Sequence, residues 1–551
     1  MRKLIVFLVV VGLIGLGAYS GRRGYRAWKV QRALGLARTA FATSDYNKGL
    51  LWLRAALNAD GNNREAVAMM GDFAELSQSP NAVYWRNRLV EIQPGSWTNQ
   101  LILARAAVAS RDYRMAKKAL DGVGEQGRKT PEFQKISGTF AVATGQYPEA
   151  EGFFQEALRL EPQNPQLRLN LAMIQVQRTD PQLAGRGRRE LESLCTNAAV
   201  RADALRHLTL DAYRDTNYAR AIPLAAELVR EPNSLFSDQL LTLDLLRAAR
   251  SPQFASTLVS VQQQKATNAS QVYELARWML AGTNPRDTLD WLHSVTPRIQ
   301  TNLPVAMVVA DGYLGTADWA GLQGWAATQF WGDLDYLRLA YLARALREQG
   351  LATTAKAEWS KAFKATAARL DRLVVLQRVT TAWDWKAELE EVLWTIVNKF
   401  PAEKPALVML SNVLIEGGKT VSLLTLYAQE AKADPNDLAA KNNLASIALL
   451  LDKPEHHPHE LAREVYEKAK DNAAFASTYA YSLHVQKKTT EGLHVLQQLK
   501  PGTLERPDIA GYYGLMLSAS GDQTTGRRYL EMAIASRLLP EEVELFRRAG
   551  R

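Results

Sequence analysis

Thr144-Gly-Gln-Tyr-Pro-Glu-Ala150-Glu-Gly-Phe-Phe154-Gln-Glu-Ala157-Leu-Arg-Leu-Glu-Pro162 is the stretch that decides the fold of this 551-residue chain. A polar turn leads into Ala150. Phe154 follows four residues later, Ala157 three after that, and Pro162 five beyond, while Gly138 stands twelve before Ala150. Steps of three and four place these side chains on one helix face. Two helices that cross closely need a small residue at the contact, and a large residue one turn away fills the groove beside it. Pro162 stops the second helix because it cannot donate the next backbone hydrogen bond.

The small second-helix residue recurs at Gly49, Ala82, Ala116, Ala150, Ala184, Ala221 and Ala255. It continues through Thr288, Leu322, Ala355, Leu389 and Leu423 to Ala462, Gly492 and Gly526. Most steps are 33 or 34 residues; the exceptions are 37 before Ala221, 39 before Ala462 and 30 before Gly492. Four residues after the landmark stand Leu53, Phe154, Leu292, Trp359, Leu393, Tyr466, Leu496 and Leu530. Twelve before it stand Ala37, Ala104, Gly138, Ala172, Ala276, Ala310, Ala343, Ala480 and Gly514. Asp45-Tyr46, Asp112-Tyr113, Asp318-Trp319 and Asp384-Trp385 mark turns. A phase held this long signals a stacked array, since no single unit can bury its own apolar face.

On Gly138, Ala150, Phe154, Ala157 and Pro162, the chain resembles the tetratricopeptide (TPR) repeat family, although that family's first-helix Trp is mostly absent. The resemblance implies an all-α, right-handed solenoid of about fifteen divergent helix–turn–helix units over residues 30–540. The units are weakest near 270–335 and 370–435, and residues 541–551 form a capping tail whose Pro540-Glu541-Glu542 reads as a helix start. It also implies a concave groove, built mainly from first helices, that binds other proteins or peptides without a cofactor. Some members hold a C-terminal carboxylate in a Lys/Asn/Arg clamp. Lys135 and Asn170 fall at two clamp positions, but Thr139 replaces the clamp Asn, and Asp203 and His207 take the basic places of the next repeat. Asp203 would repel a carboxylate, so Lys135 and Asn170 remain candidate groove residues without a complete clamp.

Leu4 to Tyr19 is an uncharged apolar run, with Arg2 and Lys3 before it and Arg22, Arg23 and Arg26 after it. Residues 1–29 therefore read as a single-pass membrane anchor with basic flanks; the alternative is a signal peptide cleaved after its small residues. The first 32 residues carry seven Lys or Arg and no acid, which leaves +3 of the net +10 for the remainder. Basicity concentrated beside an apolar run points to lipid headgroups and away from nucleic acid. The positive-inside rule leans toward a cytoplasmic array, and an N-terminal anchor ahead of such repeats resembles bacterial inner-membrane proteins. The composition leaves oligomeric state open.

Catalytic signatures fail on inspection, so the chain reads as a scaffold and not an enzyme, with no catalytic, cofactor or metal residues assigned. Cys195 is alone and reads as a small buried residue. Gly418-Lys419-Thr420 resembles the end of a phosphate loop, but Val413 stands where its first Gly is required. His456-His457-Pro458-His459-Glu460 falls where the 39-residue step adds residues, and Arg463 occupies the second-His position of a zinc-protease motif. Two alternatives stay open. One is a cell-envelope carbohydrate binder using the Trp-rich segment with Trp319, Trp325, Trp331, Trp383, Trp385 and Trp394; the other is an enzyme site composed across repeats.

Overall fold

The computed structural model describes residues 24–534 and 537–551. The apolar run 4–19 and Arg2, Lys3, Arg22 and Arg23 lie outside the described residues; Arg26 sits exposed on a helix over 24–42. Among the described residues there is no strand, and no helix is long and apolar enough to cross a membrane. The described residues form a series of about fifteen helical hairpins, from 24–42 with Tyr46–Ala59 to Pro507–Ala519 with Gln523–Ile534. Every landmark from Gly49 to Gly526 falls in the second helix of a hairpin, including Thr288, Leu322, Leu389 and Leu423.

Most hairpin turns are built in nearly the same way. Ser44, Arg111, Gly145, Thr216, Arg250, Ala317, Gly350, Asp384, Gly418, Lys487 and Gly521 adopt φ between 50° and 99°. Each of them stands five residues before its landmark. A left-handed residue closes the first helix, because the next N–H then reaches a carbonyl five residues back. Asp45 N donates to Ala40 O at 2.9 Å, and Lys419 N to Leu414 O at 2.8 Å. The second helix starts at once, with Asp45, Asp112 and Asp318 accepting from the N–H groups of Lys48, Met115 and Gly321 at 2.9–3.1 Å.

The small residues work as the spacing requires. A Cβ on Gly514 would lie 2.8 Å from Gly526 O, and one on Gly492 would lie 2.6 Å from Ala480 O. The Phe154 ring sits on Gly138, where a Cβ would approach it to 2.9 Å. Ala255 departs from the pattern: it is exposed, and its helix Gln253–Lys265 buries only Val261. That helix closes the first of two compact units, which divide between Gln264 and Lys265.

In the first unit, arginine–carboxylate pairs supplement small apolar clusters. Arg86 occupies the place of the large apolar residue in its hairpin and is 4% exposed; its guanidinium meets Asp72 at 2.7 Å and Glu75 at 2.6 Å. Arg188 reaches buried Asp211, and Arg206 reaches buried Asp238, each at 2.6 Å and each on the next helix or hairpin. In the second unit a larger continuous core runs from Ala306 to Ala448 and takes in Leu539. The extra residues of the 39-residue step form a 3-10 turn, Pro454–His456, followed by left-handed His457.

Gly145 and Gly526 separate two kinds of glycine requirement. Gly145 has φ +76° and open space around its Cβ direction, so Gly145→Ala should cost about 1 kcal/mol from backbone strain alone. Gly526 has ordinary φ, but a Cβ would collide with Ser518 Oγ and come within 2.9 Å of backbone. Gly526→Ala should cost about 1–3 kcal/mol by overpacking. Urea unfolding followed by circular dichroism should rank Gly526→Ala as the more damaging.

Candidate partner-binding groove

First helices Lys404–Glu416, Leu438–Leu450, Ala473–Val485 and Pro507–Ala519 follow one another through the second unit. Asn442, Ser446, Ser477, Thr478 and Tyr512 from this series, with Tyr427 from helix Thr420–Ala433, line a cavity of about 320 Å³. The opposite wall comes from Arg537, Leu539 and Glu542 of the chain's last segment. That segment becomes helix Pro540–Ala549 because Pro540 suits a first helical position and Glu542 Oε2 accepts from Leu539 N–H at 3.0 Å.

The last segment reaches well beyond an end cap. Arg537 pairs with Glu416 at 2.5 Å, and Thr420 Oγ1 donates to Glu541 Oε2 at 2.5 Å, both across 121 residues of sequence. Pro540 lies so close to Gly418 that a Cβ there would approach it to 3.0 Å. Leu539 is buried in the same core as Leu423, Tyr427 and Ile447. Tyr512 hydroxyl donates to Glu542 Oε1 at 2.8 Å, and burial holds this phenol well above its ordinary range, with Glu542 adding to the effect. Phe546, 1% exposed, packs edge-on to Tyr512 with ring centres 5.3 Å apart and rests on Gly511. Asn442 Oδ1 and Ser477 Oγ are buried in the cavity wall without a hydrogen-bond partner.

A second polar cluster lies nearer the start of this unit. Tyr341 hydroxyl donates to Asp311 Oδ1, on the next first helix back. Burial raises the Asp311 carboxyl above the usual range, against the opposing pull of the Tyr341 hydrogen bond and of Arg277. Beside it, two tryptophans of the proposed sugar platform, Trp331 and Trp385, are buried at 1% and 4% exposure, and Trp319, Trp325, Trp383 and Trp394 are half-buried. Arg344 lies 5.6–5.8 Å from the ring centres of Trp319, Trp383 and Trp385, and Arg347 lies 3.6 Å from that of Trp385. Trp325 Nε1 donates to Ala306 O at 3.0 Å. Trp319, Trp383 and Trp385 hold arginines or each other, and burial leaves Trp331 and Trp385 without an open face for a sugar.

The remaining candidates resolve individually. Lys135 Nζ pairs with Glu161 at 2.8 Å, and Asn170 Oδ1 accepts from Gln166 at 3.2 Å. Each is engaged with a neighbour of its own, and Asp203 pairs with Arg206. Gly418, Lys419 and Thr420 form the turn on which the last segment docks, and Lys419 pairs with Glu390 at 2.6 Å. His459 Nδ1 contacts Ser482 Oγ at 2.8 Å, and no cluster of three or more potential metal ligands occurs among the described residues. Burial pushes the Cys195 thiol upward, helped by Glu227, and its Sγ lies 3.3 Å from Leu191 O. The site that sequence reading missed is the seat of the last helix. Its one local signal was the Pro540-Glu541-Glu542 helix start, which names no receptor.

No family model matches the chain, and no curated protein matches it. Among solved structures it is similar to the Cut9–Hcn1 hetero-tetramer of the APC/C, with 13% identity, coverage of 95% and 96% of the two chains and a TM-score of 0.29. It is also similar to a tetratricopeptide repeat protein from Parabacteroides merdae, with 11% identity, 44% and 96% coverage and a TM-score of 0.27. The Naa15/Naa10 complex with HypK gives 12% identity, 94% and 96% coverage and a TM-score of 0.28.

Asp311 offers a pH test. Its folded pKa is raised, so the folded state binds this proton more tightly than the unfolded state does. Stability from this group is present in acid and is lost as pH rises from the ordinary carboxylate pKa, about 4, to the folded value. Asp311→Asn keeps an acceptor for Tyr341 and removes the buried charge. The variant should melt at higher temperature than the parent at pH 7, and the gap should close toward pH 4.

Proposed function

We propose that this protein is a membrane-tethered scaffold that recruits partner proteins or peptides through its first-helix faces. The observation that carries this reading is the groove of the second unit, which seats a helix by a mixture of apolar and charge-assisted contacts. A surface with Leu539 and Phe546 in apolar seats, Thr420 and Tyr512 on carboxylates and Glu416 on an arginine has the chemistry of peptide recognition. The tether is assigned to Leu4–Tyr19, with Arg2, Lys3, Arg22, Arg23 and Arg26 at its ends, in an inner membrane of bacterial type. The positive-inside rule favours an array on the cytoplasmic side. Binding, rather than chemistry across repeats, is the role assigned to the array.

Crosslinking in intact cells, with purification through a C-terminal tag and mass spectrometry, tests this. The full chain is compared with one starting near Val30. The expected result is one membrane-associated complex enriched with the full chain, with crosslinks on first-helix faces. Recovery of only chaperones and abundant proteins with both chains would count against the scaffold.

A further inference from the structure

The first helix of the array begins before its packing does. Over 24–42, the face that meets Tyr46–Ala59 consists of Val30, Ala33, Leu34 and Ala37, none more than 4% exposed. Residues 24–29, ahead of Val30, are all exposed. Two large rings stand on this uncovered stretch and its edge. Tyr25 is 63% exposed and Trp28 53%, and they stack with ring centres 5.9 Å apart. The Arg32 guanidinium lies 5.3 Å from the Trp28 ring centre. At 3.6 residues per turn, Tyr25, Trp28 and Arg32 fall within about 60° of one another, on the side turned away from Val30, Leu34 and Ala37. Packing within the hairpin therefore does not account for these rings.

The charge around them has one sign. Arg26, Lys29 and Arg32 have no carboxylate partner among the described residues, whereas Arg38, further along the same helix, pairs with Glu65. The first acid in the chain is Asp45. This departs from the rest of the first unit, where Arg86, Arg188 and Arg206 are each neutralised by carboxylates. Position in the chain adds to it. Tyr25 stands six residues after Tyr19, the end of the apolar run, a reach of about 20 Å even when fully extended.

We infer that Tyr25, Arg26, Trp28, Lys29 and Arg32 form a face that binds anionic lipid headgroups and lays the start of the array on the bilayer surface. Phenol and indole rings settle at headgroup depth, with the apolar body toward the acyl chains and the polar tip toward water. Each neighbouring cation strengthens binding to an anionic surface by about fivefold. The inference deepens the tether and rests on it for proximity. The apolar run brings the chain to the membrane; this face selects the lipid and fixes the first hairpin against it, so the scaffold does not swing from a free linker. An acidic protein surface would match the cations but gives no role to two exposed rings beside an apolar run.

The test places the full chain in nanodiscs of phosphatidylcholine, or of phosphatidylcholine mixed with phosphatidylglycerol, and follows hydrogen exchange over residues 24–36 at low and high salt. One variant combines Arg26→Gln, Lys29→Gln and Arg32→Gln; another combines Tyr25→Ser and Trp28→Ser. Exchange should slow about tenfold or more in the anionic discs relative to the neutral ones, and high salt or the triple substitution should abolish the difference. Loss of the rings should speed exchange in both kinds of disc. Helix Tyr46–Ala59 should exchange alike in every sample, which shows the hairpin intact. Equal exchange of the parent in both lipids, or a difference that survives the triple substitution, would overturn the inference. So would slowing by added polyglutamate equal to that in anionic discs, which would make an acidic protein the occupant. Alkaline carbonate extraction of cell membranes tests the tether separately. A chain released by carbonate refutes the span, and the lipid face then requires that the released chain float with anionic vesicles and not with neutral ones; failure to float would overturn it.

Discussion

Close approach of two helix backbones is the constraint on which the rest of this structure depends. At Gly514 and Gly526, or at Ala480 and Gly492, there is no room for a larger side chain, and the neighbouring leucines and aromatics can fill the groove only because the backbones are that near. A hairpin held this way still leaves an apolar face open, and only the next hairpin covers it. Length therefore follows from packing. The same constraint fixes the turn, because the first helix must stop abruptly for the second to return beside it, and a left-handed residue followed by an N-cap does so in three residues.

The two units satisfy the constraint with different materials. The first places guanidinium groups in or beside the packing layer and neutralises each with carboxylates on the same or the following hairpin. Pairs of this kind add little net stability over apolar substitutes, but they penalise any misregister that would separate them. The second relies on bulk: tryptophans, tyrosines and leucines form one extended core, and arginines are stacked on indole faces inside it. Aromatic residues gathered here for cohesion are unavailable for an exposed role. The groove further along is lined by Asn442, Ser446, Ser477, Thr478 and Tyr512.

The last helix lies against the groove through contacts spread along the second unit. Its leucine, acids and phenylalanine are read by side chains from several successive hairpins, which is how a repeat array makes a specific surface out of non-specific units.

The sequence by itself determined the hairpin and its repetition. Ala150, Phe154 and Gly138 state the crossing of two helices within 17 residues of chain, and that local rule recurs wherever the phase is kept, even where Leu389 or Thr288 replaces the small residue. The left-handed turn was legible at Gly145, Gly350, Gly418 and Gly521, but not at Arg111 or Lys487, where an ordinary residue bears the strain because the hairpin around it leaves no alternative. Only the tertiary structure decided the rest. It turned Gly418-Lys419-Thr420 from an incomplete phosphate motif into a docking turn, buried Trp331 and Trp385, and put Arg86 where an apolar residue was expected. The seat of the last helix depends on where Glu416 and Arg537 arrive in space after 121 residues of accumulated hairpin geometry. No short period in the sequence encodes that meeting, because it is the sum of many small helix-to-helix rotations, each set by side-chain packing.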